Sequence, residues 1–117
     1  MQIIKGNRTA FFDCDDTLVM WDKNIPEEDG AIVLDCAGYD VRCRPHLKHI
    51  EALKRHHARG HTVIVWSAGG YEWALQVVQA LGLEECVDAV MCKPSWWYDD
   101  LQADEVLRTI DRIYYND

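Results

Sequence analysis

Paired cysteines, a surplus of basic residues and long apolar runs are all missing from this 117-residue chain. Its five cysteines (Cys14, Cys36, Cys43, Cys86 and Cys92) contain no CxxC spacing and are odd in number. That argues against a disulfide framework and a cysteine-built zinc site, and points to reduced thiols in a cytoplasm. Lys and Arg number 12 against 20 Asp and Glu, a formal net charge of −8. A surface that tracks a nucleic-acid backbone needs the opposite balance, although a small pocket for a nucleotide or a strand end remains open. No apolar run approaches membrane-spanning length. The opening MQIIKGNRTA lacks the apolar stretch of a signal peptide. The expectation is therefore a cytoplasmic protein with no membrane partner. The length suits one domain, residues 1–117, and the 49% apolar and 27% charged content is that of an ordinary globular chain.

What is present is a series of short apolar runs that end in polar residues. Residues 8–12 read as a buried strand leading into Asp13, Asp15 and Asp16. AIVLD and YDVRC flank Cys36-Ala37-Gly38 and read as a small β-hairpin. It follows Pro26, the acidic run Glu27-Glu28-Asp29 and Gly30. Pro45 opens a helix with Leu47, Ile50, Leu53 and His57 at helical spacing, and Gly60 stops it. TVIVWS, residues 62–67, has the continuous apolar character of a central parallel strand. Gly69-Gly70 starts a second helix with Ala74, Val77, Val78 and Leu81 on one face and Gly82 at its end. Residues 87–91 (VDAVM) are a third strand candidate. WWY (96–98) is a very short strand ending in Asp99-Asp100, and the tail is helical to about Arg108, with RIYY as a further short strand. Alternating strands and helices predict an α/β domain: a Rossmann-like parallel sheet with helices on both faces, right-handed crossovers and a hairpin flap.

In such sheets ligands sit beyond the carboxyl ends of the strands. The polar residues that close three runs should therefore share one rim: Asp13, Asp15 and Asp16 after the first, Ser67 after the second, Asp99 and Asp100 after WWY. Like charges this close repel one another, so a cation should sit among them. Carboxylates without histidine suit Mg²⁺ better than zinc, because Mg²⁺ keeps waters that a phosphate can replace. A carboxylate beside that ion can attack phosphorus, and a second one two residues on can move the proton. Ser67 and Lys93 would supply a hydrogen bond and a positive charge to the phosphoryl group.

DCDDTL, VIVWS, KP and WWYDD occur in the order of the four motifs of the haloacid dehalogenase (HAD) superfamily, which the chain resembles over nearly its whole length. The resemblance implies a Mg²⁺-dependent phosphate monoester hydrolase working through an aspartyl-phosphate. It implies Asp13 as nucleophile, Asp15 as general acid and base, Ser67 as a phosphoryl ligand and Lys93 as the neutralising cation. Mg²⁺ would be held by Asp13, the backbone carbonyl of Asp15 and Asp99, with Asp100 acting directly or through water. Asp16 stands where the family often has Gly and is given no catalytic role. The segment from Lys93 to Asp99 is too short for the crossover helix that many members have.

Residues 19–44 are enough for a flap and too few for a helical lid, so the site should be open and no lid domain is expected. An open site admits a macromolecular phosphate or relies on a homo-oligomer to enclose a small one. Thr17, Trp21, Ala68 and Arg44 are the candidates for holding a phosphorylated substrate or its loop. Arg42 and Arg44 are equally well explained as surface charges, Ser67 as a helix cap, and Asp99-Asp100 as favouring the last helix's N-terminus. Trp21 and Trp73 could stack on a substrate, although aromatics more often pack; Trp66, Trp96 and Trp97 are expected in the core. His46, His49, His56, His57 and His61 lack the partner spacing of a zinc site and read as a polar helix face. The alternatives to a general monoesterase are a nucleotide or nucleic-acid-end phosphatase and a non-catalytic HAD-fold binding module. The presence of both Asp13 and Asp15 argues against the second.

Overall fold

The computed structural model describes residues 8–21 and 30–114. In chain order its elements are β1 (Thr9–Phe12), β2 (Val19–Trp21), β3 (Ile32–Cys36), β4 (Tyr39–Pro45), α1 (Leu47–Ala58), β5 (Thr62–Ser67), α2 (Tyr71–Ala80), β6 (Ala89–Cys92) and α3 (Ala103–Leu107). Two three-stranded sheets result: a parallel one in the order β1-β5-β6 and an antiparallel one in the order β2-β4-β3. Pro26 and the acidic run 27–29 lie outside the described residues, as does Tyr115.

The parallel sheet is held in register by Phe12 opposite Val65 and Val65 opposite Val90. Along β5, Val63, Val65 and Ser67 are buried while Thr62, Ile64 and Trp66 are half-buried. The reason is topological. From β1 to β5 to β6 the chain steps twice in the same direction, so right-handed crossovers lay α1 and α2 on the same face. Phe12 on that face meets His56 of α1 edge-on, with ring centroids 5.9 Å apart. The helices, expected on both faces, thus form one layer, and α3 has no buried residue with which to make a second. On the other face Phe11 leans on Trp66 at 4.5 Å between centroids and stays 47% exposed.

The core joins the layers: Phe12, Val63 and Val65 from the sheet, Ile50 and Leu53 from α1, Ala74, Val77 and Val78 from α2. Fully burying a leucine such as Leu53 stabilises by roughly 1.5–3 kcal/mol. Leu18, Leu34 and Cys43 belong to the same core, so the flap sheet is anchored on the domain.

The flap is a hairpin, as the alternation of AIVLD and YDVRC predicts. Its turn, Ala37-Gly38, has φ of 52° and 89°, the left-handed pair that matches the twist of the flanking strands. Ala37 carries the strain that a Cβ meets in this region. A third strand, β2, pairs with β4, placing Trp21 opposite Cys43; three residues give too short a pattern to read from sequence. Pro45 closes β4 instead of opening α1, which starts at Leu47 with the His46 side chain accepting from the His49 N–H.

At the end of α1 the ring nitrogens His56 Nδ1 and His61 Nδ1 are 2.9 Å apart. One imidazole donates and the other accepts. Burial, then His61, Arg59 and Arg55, hold the His56 pKa below its ordinary value. An unfolded chain frees His56 to take up a proton near its usual value of about 6.5. The unfolded state therefore binds more protons below that pH, and stability present above it is lost as pH falls through the folded value. Urea midpoints should drop between pH 7.5 and pH 5, and His56→Gln should flatten that drop. An unchanged slope in the variant would clear the pair of responsibility.

Candidate active site

The strand ends build the site. Asp13 follows Phe12, the last residue of β1. Beyond it the chain turns tightly: the Cys14 carbonyl accepts from the N–H groups of Thr17, Leu18 and Val19 at 3.0–3.2 Å, and the Asp16 N–H donates to the Val19 carbonyl at 2.8 Å. Asp16 sits at φ 58°, a left-handed conformation that Gly adopts freely and Asp tolerates.

Lys93 arrives from the far strand. Ser67 pairs with Cys92, and the next N–H, that of Lys93, donates to the Ser67 carbonyl at 3.0 Å. The ladder thus runs one residue past β6 and sets Lys93 Nζ 3.6 Å from Asp13 Oδ1. Nζ also lies 5.9 Å from the Trp66 ring centroid. Ser67 is buried, and its Oγ accepts the Gly69 N–H at 3.0 Å. It does not cap α2, whose N-cap is Gly70. A Cβ at Gly69 would lie 3.3 Å from Ser67 Oγ, so glycine permits this approach. Ala68 is exposed in the same turn.

Asp15 is gripped by aromatics. Its Oδ1 accepts from Trp21 Nε1 at 2.9 Å and from Trp73 Nε1 at 3.0 Å. The indole centroids are 6.0 Å apart at 42°. Beside them opens a cleft of about 390 Å³ between the flap turn and α2, lined by Asp15, Trp21, Asp35, Cys36, Ala37, Gly69, Glu72, Trp73 and Gln76. The Gln76 side-chain amide pairs with the backbone of Asp35: Oε1 accepts its N–H at 2.7 Å and Nε2 donates to its carbonyl at 2.9 Å. This ties flap to helix. Sequence reading passed over Gln76 and Asp35, and left Trp73 between substrate platform and packing. Only its place one turn into α2, beside the second motif, hinted at a role in the site.

Other expected members stand apart. WWY is not a strand, and Trp96 (80% exposed) and Trp97 lie outside the core. A parallel neighbour needs a crossover of a dozen residues or more, and the segment from Lys93 to Asp99 has no room for one. Trp66 is half-buried between Phe11 and Lys93. Asp99 Oδ1 instead accepts the Leu101 N–H at 3.0 Å. That bond, followed by the Asp100 side chain, holds its carboxyl below the usual range. Asp100 is exposed beside it. The expected convergence of Asp99 and Asp100 on Asp13 is therefore not seen. Among the described residues no group of three or more His, Cys, Asp and Glu stands close enough to hold a metal ion. Arg44, on β4, pairs with Met20 of β2, where its backbone extends the flap sheet. RIYY forms no strand over its described residues 112–114.

The histidines are more than a polar face. His49 is buried, with Nδ1 2.8 Å from the Thr17 carbonyl and Nε2 3.1 Å from the Tyr114 carbonyl. It stacks on His46 at 3.7 Å between centroids. Thr17 thus holds its loop through backbone atoms: its N–H on Cys14 and its carbonyl on His49.

Cys14, between the aspartates, is fully buried, and its thiol pKa is pushed up to about 12 by burial first and by Asp13 and Asp15 next, against Lys93. Cys43 is pushed up to about 11 by burial, then Asp15, Asp16 and Cys36. Iodoacetamide reacts with thiolates. At pH 8 it should label exposed Cys92 in the native protein and reach Cys14 and Cys43 only after denaturation, as peptide mass mapping would read. Labelling of Cys14 at the rate of Cys92 would contradict this packing.

No helix among the described residues is long and apolar enough to cross a membrane. Comparison with curated proteins gives no match. The family model described as NLI interacting factor-like phosphatase matches residues 8–115. The match spans the β1 turn with Asp13 and Asp15, the end of β5, Lys93 and the 99–100 acids. The chain belongs to the NLI interacting factor-like phosphatase family, a phosphatase family of HAD-like fold.

Proposed function

We propose that the chain is a Mg²⁺-dependent phosphate monoester hydrolase that forms an aspartyl-phosphate on Asp13. The observation that carries this is Asp13 at a strand end, 3.6 Å from Lys93, with Asp15 two residues on. Lys93 draws the phosphate dianion in and offsets the charge of the attacking carboxylate. Ser67 Oγ–H donates to a phosphoryl oxygen. An Asp13 oxygen bonds phosphorus while the ester P–O bond breaks and leaves its electron pair on the departing oxygen, which takes a proton from Asp15. Asp15 then accepts a proton from water as the water oxygen bonds phosphorus. The bond from phosphorus to Asp13 breaks, and inorganic phosphate leaves.

The donors fit Mg²⁺. The Asp13 carboxylate and the Asp15 backbone carbonyl are hard oxygens, and Mg²⁺ is commonly held by one or two carboxylates with water and phosphate completing six positions. When bound it supplies positive charge to the phosphoryl oxygens. Asp99 and Asp100 join this set only where the 94–101 segment turns toward Asp13. In this structure Asp99 is engaged by Leu101.

The leaving group is the part of the substrate that meets the cleft. Its described lining carries Asp15, Asp35 and Glu72 and neither Lys nor Arg. A nucleoside di- or triphosphate, or a phosphate at the end of a nucleic-acid strand, would bring further phosphates against these carboxylates. The reading is therefore a monoester with a neutral or positively charged leaving group. The five free cysteines support a reducing, cytoplasmic setting.

Hydrolysis of an aryl phosphate should need Mg²⁺ and stop in excess chelator. Asp13→Asn should abolish covalent phosphate incorporation, since an amide does not attack phosphorus. Asp15→Asn should slow turnover by roughly 10²–10⁴-fold, the usual worth of general acid–base catalysis, and spare most Mg²⁺ affinity. Near-normal turnover by Asp13→Asn would place the nucleophile elsewhere.

A further inference from the structure

The two indoles on Asp15 take no part in the steps above, yet both spend their N–H on the same atom. Trp21 Nε1 and Trp73 Nε1 lie 2.9 and 3.0 Å from Oδ1. An oxygen of a carboxyl group has two lone pairs, so Oδ1 is filled and Oδ2 carries neither bond. The donors come from separate elements, β2 of the flap and the first turn of α2. Rings that only packed would not need to aim both N–H groups at one carboxylate oxygen.

Resting on the phosphatase reading, we propose that Trp21 and Trp73 are positioning residues: together they fix Asp15 so that Oδ2 alone holds the proton and faces the leaving group. An aspartate χ2 is a broad, roughly two-fold torsion. Left free, it would present the proton from either oxygen and in many directions. Two N–H donors on Oδ1 remove that freedom in both halves of the reaction, because Oδ1 stays an acceptor whether Oδ2 is protonated or not. In the first half the ester P–O bond breaks, its electron pair stays on the leaving oxygen, and the Oδ2 proton moves to that oxygen. In the second half Oδ2 takes a proton from the water that bonds phosphorus, as the bond from phosphorus to Asp13 breaks. The indoles gain and lose no proton.

The test uses two esters that differ in their need for an acid. Nitrophenolate leaves as a stable anion, whereas an alkoxide must be protonated as it departs. kcat/KM reports phosphoryl transfer to Asp13 and not the later water step. Trp21→Phe and Trp73→Phe keep a ring and lose the N–H. Together they should cost a simple alkyl phosphate nearly as much as Asp15→Asn, about 10²-fold or more, and 4-nitrophenyl phosphate less than about threefold. On top of Asp15→Asn, they should cost the alkyl ester nothing further. Equal losses on both esters, no loss, or a full further loss in the Asp15→Asn background would each overturn the proposal. A second readout needs no turnover. In the ¹⁵N spectrum of the indole groups, Asp15→Ala should move two of the five tryptophan signals, those that vanish in Trp21→Phe and Trp73→Phe. If those two stay in place, the clamp does not form. Absence of hydrolysis by the wild type would sink the phosphatase reading, and the spectrum alone would then decide the clamp.

Discussion

Everything at the site hangs on the hydrogen-bond register of three parallel strands. Parallel pairing fixes where each strand ends relative to its neighbours: β5 and β6 end opposite each other at Ser67 and Cys92, and β1 ends at Phe12, opposite Val65. Phe12 lies across from Val65, so Asp13 emerges beside the last turn of β5. Ser67 lies across from Cys92, and the Lys93 N–H adds one more bond on the Ser67 carbonyl. A slip of one residue would send Lys93 to the other face of the sheet and leave Asp13 without its only described ion-pair partner. The apolar alternation that buries Phe12, Val63 and Val65 is thus also what positions Asp13, Ser67 and Lys93.

That register also shows how three aspartates in four positions coexist. The sequence suggests a single cation shared among them. The folded chain also gives each its own donor: Asp13 faces Lys93, Asp15 accepts two indole N–H groups, and Asp16 accepts the Trp21 backbone N–H at 3.3 Å. Hydrogen bonds to a charged acceptor are worth about 1.5–3 kcal/mol where they are desolvated. Neutral indoles satisfy Asp15 without adding a second positive charge beside the one that the phosphate must meet.

Sequence patterning made the large elements legible. The three parallel strands, both crossover helices and the hairpin follow from apolar runs, glycine stops and the Cys36-Ala37-Gly38 turn. It failed where a run of apolar residues had nowhere to go. WWY has strand composition, but strand formation needs a partner, and the short path from Lys93 offers none. It failed also where a contact rests on one polar atom of a largely apolar side chain. Hydropathy ranks Trp21 and Trp73 as packing or stacking residues; only coordinates reveal where an indole N–H points. His49 is the same kind of case, a helix-face histidine whose two nitrogens meet carbonyls of Thr17 and Tyr114.

An acidic chain acting on an anion needs an electrostatic account, and distance supplies it. At physiological ionic strength charges separated by more than about 8 Å are largely screened. The distant carboxylates behind the net charge of −8 therefore weigh little on a phosphate at Asp13, whereas Lys93 acts within contact range. Besides Asp15, the carboxylates of the cleft are Asp35 and Glu72, which under the proposed reaction face whatever is attached to the phosphate. They stand where they do because Gln76 ties the flap turn to α2. The same flap sheet thus brings Asp35 to the cleft through β3 and an indole to Asp15 through β2. Under the proposed reaction a substrate that displaces the flap would disturb both, so rejection of a misfitting leaving group and loss of the acid's aim would follow from one movement.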